Sequence, residues 1–287
     1  MNKIVILSFL LTSLYAPHSL AEVSGVFSVG AQYVMPSSGT EDSDFEEGGQ
    51  EFEKDVFGIE AYSGLHIPID ETKATYIDMR FDYHEETDDG SSYNEEYGMY
   101  FSLGAHYLWN VNDNPTGIFG AVATGNSLEE EDDVDLIYMV GVEKRFGDFS
   151  TQIGYAMSND IGNNSSDIDT LENLIFIRTG YHKDGFNGSI AYGDGDFDDD
   201  TADAGDKNDG HWIQVEMSYE RPWGEHLNWY AGYEYDDVRL DAVPGEASES
   251  AKMHRVSFGI KVPFGDISSP FTTPNLTAPI TWSGELN

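Results

Sequence analysis

The chain has no cysteine, few basic residues and no long apolar run beyond its amino terminus. Without cysteine it has no disulfide, no thiolate metal site and no thiol nucleophile. Its 14 Lys and Arg face 53 Asp and Glu, and the formal charge of -39 excludes nucleic acid as a partner because phosphates would be repelled. No apolar run of about 18 residues follows the first 21 positions, which excludes an α-helical membrane protein.

Residues 1–21 have the features of a secretory signal peptide. Lys3 gives a positive start, residues 4–15 are apolar, and Ser19-Leu20-Ala21 fits the small-x-small cleavage pattern. An apolar stretch of about twelve residues is too short to span a bilayer as an anchor. We therefore expect export and a mature chain that begins near Glu22, with an uncleaved membrane helix as the alternative.

From residue 22 to 264 the chain contains about twelve segments in which apolar and polar residues alternate. Each is long enough for the roughly 9–11 residues of a tilted membrane strand. The predicted strands are 23–35, 56–69, 74–84, 97–110, 117–125, 134–146, 149–158, 171–182, 186–193, 212–221, 227–236 and 252–264. The fifth is the least regular, because both of its faces are small or apolar.

Long and short connections alternate between these segments. Residues 37–55, 85–96, 126–133, 159–170, 194–211 and 237–251 are long and acidic, whereas 70–73, 111–116, 147–148, 183–185 and 222–226 are short. This alternation is typical of long extracellular loops and short periplasmic turns. We predict an all-β fold, an up-and-down antiparallel transmembrane β-barrel of about twelve strands, with both termini periplasmic.

The two faces of a predicted strand differ in polarity, and aromatic residues gather at the strand ends. In the third strand, Ile77, Met79 and Phe81 share one face and Asp78 and Arg80 the other. Two aromatic belts are typical of membrane interfaces. The belt beside the short turns contains Tyr107, Trp109, Phe146, Phe149, Tyr181, Phe186, Tyr219, Trp229 and Phe264. A secreted β-sandwich is the alternative, but it gives no reason for connection lengths to alternate.

Charged residues on the inward face form the candidate pore-lining set. It comprises Glu60, Asp78, Arg80, Asp82, Glu143, Arg145, Arg178, Glu216, Glu220, Glu234, Arg255 and Lys261. Charges of both signs on facing walls produce a transverse field in a water-filled pore. Alternatively, they pair and plug a narrow barrel. Acids outnumber bases, so we predict a preference for cations if the barrel conducts.

The last predicted strand ends in Ser257-Phe258-Gly259-Ile260-Lys261-Val262-Pro263-Phe264. This segment resembles the polar-x-Gly-x-x-hydrophobic-x-aromatic signal that closes bacterial outer-membrane barrels. With the signal peptide and the strand pattern, residues 22–264 resemble the Gram-negative outer-membrane porin and porin-like channel superfamily. The resemblance implies the outer membrane, contact with its lipids and lipopolysaccharide, insertion by the barrel assembly machinery, and passive diffusion of small hydrophilic solutes or ions.

Residues 265–287 continue beyond that closing aromatic. They contain Pro270, Pro274 and Pro279 with many Ser and Thr, so we expect an extended periplasmic tail without a core of its own. We expect this tail to trail. The alternative is a plug that folds back into the barrel with Phe271 and Trp282 as anchors.

Two features raise other functions. Acidic residues 129–133 and 194–200 offer the oxygen ligands that Ca²⁺ prefers, but their spacing does not match a helix-flanked calcium loop. We therefore expect no cofactor, with loop-bound Ca²⁺ as the alternative. Asp82, His84, His211 and Asp236 could form a catalytic set at the rim, but acids and histidines are common here, so we predict no enzyme. The main alternative function is a non-conducting surface barrel whose acidic loops bind ions or partners.

Overall fold

Twelve antiparallel strands close into one barrel. The computed structural model describes residues 23–41, 56–86, 97–126, 135–160, 170–198, 207–240, 248–265 and 272–276. The strands are β1 (Ser24–Glu41), β2 (Val56–Asp70), β3 (Lys73–Glu86), β4 (Tyr97–Trp109), β5 (Thr116–Asn126), β6 (Asp135–Phe146), β7 (Phe149–Asp160), β8 (Thr170–Lys183), β9 (Phe186–Asp198), β10 (Lys207–Pro222), β11 (Asn228–Leu240) and β12 (Ser248–Phe264). Each strand pairs with its sequence neighbours and β12 pairs with β1, which confirms the predicted all-β, up-and-down barrel.

No helix in the described part of the chain is long and apolar enough to cross a membrane. The predicted signal peptide lies outside the described residues.

Several strands extend further toward the long connections than the alternation predicts. Residues 37–41, expected in a loop, pair with 248–252. Lys207, also expected in a loop, pairs with Asp198. These stretches consist mostly of polar residues and glycine, so they carry no alternation, yet a neighbouring strand still offers partners for their backbone groups. The predicted bounds of three loops, 37–55, 194–211 and 237–251, are therefore wrong, because they include residues that belong to strands.

Short turns join the strands at the opposite end, which we call the short-turn end. Asp184 and Gly185 connect β8 to β9 with φ of 51° and 82°. Positive φ at both central residues is the requirement of a type I′ turn, and Asp-Gly is a favoured sequence for it. Gly147, with φ of 59°, begins the two-residue turn between β6 and β7. These tight turns fix neighbouring strands in register.

The two faces of the strands separate as predicted. In β4, Phe101 and Leu103 are exposed on the outside of the barrel, while Tyr100 and His106 are buried within it. The fifth strand, whose facing the sequence leaves ambiguous, follows the same rule: Ile118 is 52% exposed and its neighbour Phe119 only 4%. The outer surface is thus strongly apolar. Its exposed members include Phe57, Ile59, Tyr138, Val140, Val142, Ile153, Tyr155, Ile175, Ile177, Ile190, Val256 and Phe258.

Rings beside the short turns form an aromatic belt. The ring of Tyr181 lies 5.0 Å from that of Phe149 and 6.3 Å from that of Phe186, measured between centroids. Tyr219 and Trp229 form another pair at 6.0 Å. Rings at this level of an apolar surface are typical of a protein that meets a lipid–water boundary.

Candidate functional site

The lumen contains a cavity of about 720 Å³ on its short-turn side. Ten of the twelve predicted pore-lining residues border it: Glu60, Asp78, Arg80, Arg145, Arg178, Glu216, Glu220, Glu234, Arg255 and Lys261. The other two, Asp82 and Glu143, are buried inside the barrel beside the cavity wall. The cavity is therefore built largely from the charged inward positions of the strands.

Ion pairs connect these charges across neighbouring strands and across the lumen. Glu234 on β11 accepts from Arg255 at 3.1 Å and from Arg80 at 3.4 Å. Arg80 also donates to Asp82 at 2.7 Å. The contact between Arg80 and Glu234 joins β3 to β11, which are not neighbours in the barrel, so this network spans the lumen.

Two further pairs border the cavity. Lys261 donates to Glu220 at 2.7 Å, and Arg178 donates to Glu216. Lys261, Glu220 and Glu216 are partly accessible, whereas Arg178 is buried. Charges of both signs thus face the water-accessible space, as a transverse field requires.

A second cluster centres on His106, which lies between two carboxylates. Its Nε2 is 3.0 Å from Asp78 Oδ1, and its Nδ1 is 2.9 Å from Glu143 Oε2. All three side chains are almost completely buried. Gln152 donates to Glu143 at 3.1 Å and completes the cluster. Alternation in the sequence places Asp78, Glu143 and His106 on inward faces, but it does not indicate that the histidine joins the two carboxylates.

The described part of the tail, residues 272–276, lies inside the barrel. Thr273 donates through its backbone N to Asp78 Oδ2 at 3.0 Å, and Asn275 donates through Nδ2 to Glu234 at 2.5 Å. Pro274, Asn275 and Leu276 are buried. The expectation of a trailing tail is therefore wrong for this stretch, because its polar groups find partners on the lumen wall. The predicted anchors Phe271 and Trp282 lie outside the described residues.

A buried apolar layer lies inside the barrel, next to the cavity. It consists of Val34, Tyr100, Phe119, Ala123, Ile137, Met139, Ala156, Leu171, Leu174, Phe176, Ala191, Trp212, Val238, Met253 and Leu276. Trp212 and Leu174 have no accessible surface. Leu276 adds the tail to the layer. Simple alternation suggests a lumen that is polar along its whole length. The inside of this barrel also contains an apolar layer.

Three members of the predicted rim set bind residues outside the set. Asp82 binds Arg80, Asp236 accepts from Gln214 at 2.9 Å, and His211 lies 3.1 Å from Asp194. The first of these contacts lies within β3, and the other two join neighbouring strands.

The described residues contain no group of three or more acidic or histidine side chains placed to hold a metal ion. The acidic run 129–133 and the end of the run 194–200 lie outside them, so loop-bound Ca²⁺ stays a prediction.

No protein-family model matches the chain, and no curated protein matches it. Solved structures match at low identity. A FadL homologue of Pseudomonas aeruginosa is 9% identical, with coverage of 84% of this chain and 91% of that one and a TM-score of 0.45. The toluene transporter TodX of P. putida is 8% identical, with coverage of 89% and 92% and a TM-score of 0.40. The outer membrane protease OmpT of Escherichia coli is 8% identical, with coverage of 86% and 98% and a TM-score of 0.33. These matched structures include both a transporter and a protease, and they assign no function to this chain.

Proposed function

We propose that this chain is an outer-membrane passive channel for small hydrophilic solutes or ions, with a preference for cations. The observation that carries the proposal is the contrast between the two surfaces of one closed wall. The outside is apolar with an aromatic belt, and the inside holds a charged cavity of about 720 Å³. An apolar outside suits lipid, and a polar inside suits water and ions.

In the same proposal the short turns and both termini are periplasmic, and the chain contacts outer-membrane lipids and lipopolysaccharide after insertion by the barrel assembly machinery. The cavity then opens toward the periplasm. The tail and the apolar layer lie between it and the outside, so the described arrangement is the closed one.

Cation preference is proposed from the balance of lumenal charge. Within the candidate set, seven acids face five bases. His106 offsets part of this excess, because it lies between Asp78 and Glu143. Five acids and five bases of the set border the cavity, so the acid excess proposed to act on the ion path comes from Asp82 and Glu143, which are buried beside its wall.

Conductance in a planar bilayer tests the proposal. We expect small or rare conductance from the full chain and a larger, steady one after deletion of 266–287, because the deletion removes the segment that crosses the lumen. Under a KCl gradient, the reversal potential of the truncated protein should indicate K⁺ over Cl⁻. Anion selectivity would contradict the charge argument.

A non-conducting surface barrel is the second candidate function. It is favoured by the buried apolar layer inside the barrel, in which Leu276 is the one residue from the described part of the tail. In that case deletion of 266–287 leaves the bilayer silent, while the protein still folds and inserts.

A further inference from the structure

The barrel holds residues 272–276 through their main chain and through their side chains. The hydrogen bonds run from Gln152 Nε2 to Thr272 O at 3.1 Å, from Arg178 Nη1 to Thr272 O at 3.1 Å, from Thr273 N to Asp78 Oδ2 at 3.0 Å and from Gln214 Nε2 to Asn275 O at 2.9 Å. The donors and acceptors on the barrel come from β3, β7, β8 and β10. Main-chain groups are common to all peptides, so this part of the recognition does not depend on the sequence of the tail.

The side chains of the segment add a sequence-dependent part of similar size. Arg178 Nη1 also donates to Thr272 Oγ1 at 3.1 Å, and Thr273 Oγ1 lies 3.4 Å from His106 Nε2. Thr273 Oγ1 donates to Asp78 Oδ1 at 2.9 Å, and Asn275 Nδ2 donates to Glu234 Oε1 at 2.5 Å. Pro274 is buried and has no N–H that needs a partner. Leu276 is fully buried in the apolar layer. The bound segment is therefore uncharged, donates to carboxylates at two positions and ends in an apolar side chain.

Gly104 leaves room for the side chain of Thr273 at this level. A Cβ on Gly104 would overlap Thr273 Oγ1 and Asp78 Oδ1 and would lie 3.2 Å from Thr273 Cβ. Only a residue without a side chain allows the segment to approach β4 this closely.

We propose that this part of the lumen is a binding site for short, extended, uncharged peptides, and that the tail is its tethered occupant. When the tail leaves, the same amide, guanidinium and carboxylate groups can bind a free peptide. As the substrate class of a channel this rests on the proposed function, whereas the binding itself does not.

Competition by the tail determines how the site is tested. A tethered segment acts at an effective concentration of about millimolar, so a free peptide at micromolar concentration cannot displace it. The tail must be weakened without altering the site. Asn275→Asp does this, because it places a carboxylate against Glu234 and leaves the barrel side chains unchanged.

The probe is the peptide Thr-Thr-Pro-Asn-Leu with an amidated carboxyl end. A fluorophore is attached at its amino end, because Thr272 borders the open cavity. Binding to full-length protein in detergent micelles is measured by fluorescence anisotropy. The matched control is Asn114→Asp, which makes the same change at an exposed position of the β4–β5 turn.

We expect the Asn275→Asp protein to bind this peptide saturably and at least about tenfold more tightly than the unaltered or Asn114→Asp protein. A peptide with Asp in place of its Asn should not bind. Equal weak binding by all three proteins, or equal binding of both peptides, would overturn the proposal. Peptide binding without any conductance would support the peptide-binding site and contradict the proposed channel function.

A cysteine pair gives a second measurement that does not depend on the Asn275 variant. The chain has no cysteine of its own, so Gly104→Cys with Thr273→Cys introduces a single possible disulfide. The 3.2 Å between the two Cβ positions is a few tenths short of the roughly 3.5–4.5 Å in disulfides, a shift that a five-residue segment can make.

Mild oxidation should form the disulfide in the folded barrel, because the tail places position 273 beside position 104. Each single-cysteine variant serves as control. If the thiols of the double variant stay free in the folded barrel, the tail does not occupy this site and the proposal fails.

Discussion

His106 is the shared partner of two buried carboxylates in the lumen. Its two ring nitrogens lie 3.0 Å from Asp78 and 2.9 Å from Glu143, and all three side chains are almost completely buried. Taking charges out of water is costly unless each is paired and hydrogen-bonded. The histidine therefore allows two carboxylates, on β3 and β6, to be buried on either side of β4.

We predict that His106→Ala lowers the free energy of unfolding by about 3–5 kcal/mol, because it leaves two buried carboxylates without their shared partner. The measurement is urea unfolding followed by tryptophan fluorescence. His226→Ala is the control, since His226 lies in a short turn with its side chain 87% exposed. If the free energy of unfolding falls no further than in the control, water or Gln152 must pair with the two carboxylates in place of the histidine.

Each strand has one face toward the lumen and one toward the surroundings, and β6 shows how different these are. Glu143 and Met139 are buried inside, while Val140 is 60% exposed and Val142 is 54% exposed outside. An exposed row of branched apolar side chains in the middle of a strand is costly in water and favourable in hydrocarbon.

We therefore predict that Val140→Arg destabilises the barrel in phospholipid vesicles by about 2–4 kcal/mol, the cost of a cation on the lipid face near the bilayer midplane. The measurement is urea unfolding from vesicles. Asn114→Arg adds the same side chain to an exposed turn and should have little effect. If Val140→Arg changes stability by no more than the control, the outer face meets water and the membrane assignment is wrong.

The strands could be predicted because alternation is a local signal of period two. It reports polarity along a few residues, and for β3 and β4 one face is polar and the other apolar. In β6, the inward Ile137 and Met139 alternate with the outward Tyr138 and Val140. Both faces are apolar there, so alternation cannot tell a lipid-facing row from an inner layer. In the sequence, the uninterrupted apolar run in β6 is the signal that indicates the apolar layer.

The tail could not be placed from sequence because its contacts are distant along the chain. Thr273 binds Asp78, which is 195 positions away, and Thr272 binds Gln152, 120 positions away. The segment Thr-Thr-Pro-Asn-Leu has neither helical nor strand periodicity. Only the arrangement of the closed wall brings its partners together, and no local pattern contains that information.

At the scale of the whole molecule, the dominant property is negative charge. The chain has 53 acids and 14 bases, and the ion pairs described in the lumen use four of those bases, Arg80, Arg178, Arg255 and Lys261. Acids therefore far outnumber bases in the rest of the chain as well. Like charges brought together by folding repel one another, so the folded state is opposed by its own charge.

We predict that salt stabilises the folded barrel. Between about 0.01 M and about 1 M NaCl the Debye length falls from about 30 Å to about 3 Å, which screens repulsion between exposed acids more than it weakens the buried ion pairs. The midpoint of urea unfolding should therefore rise with NaCl. Sucrose is the uncharged control. A midpoint that falls with salt would mean that accessible ion pairs contribute more than the repulsion.

We expect the long ladder between β1 and β12 to form before the tail enters the barrel. It runs from Gly25 opposite Phe264 to Glu41 opposite Ser248, and until it forms the wall is an open sheet without an interior. The partners of the tail, among them Asp78, Arg178 and Gln214, encircle it only once that seam has closed. We therefore expect assembly in two stages, closure followed by insertion of the tail, with an unoccupied lumen in the interval between them.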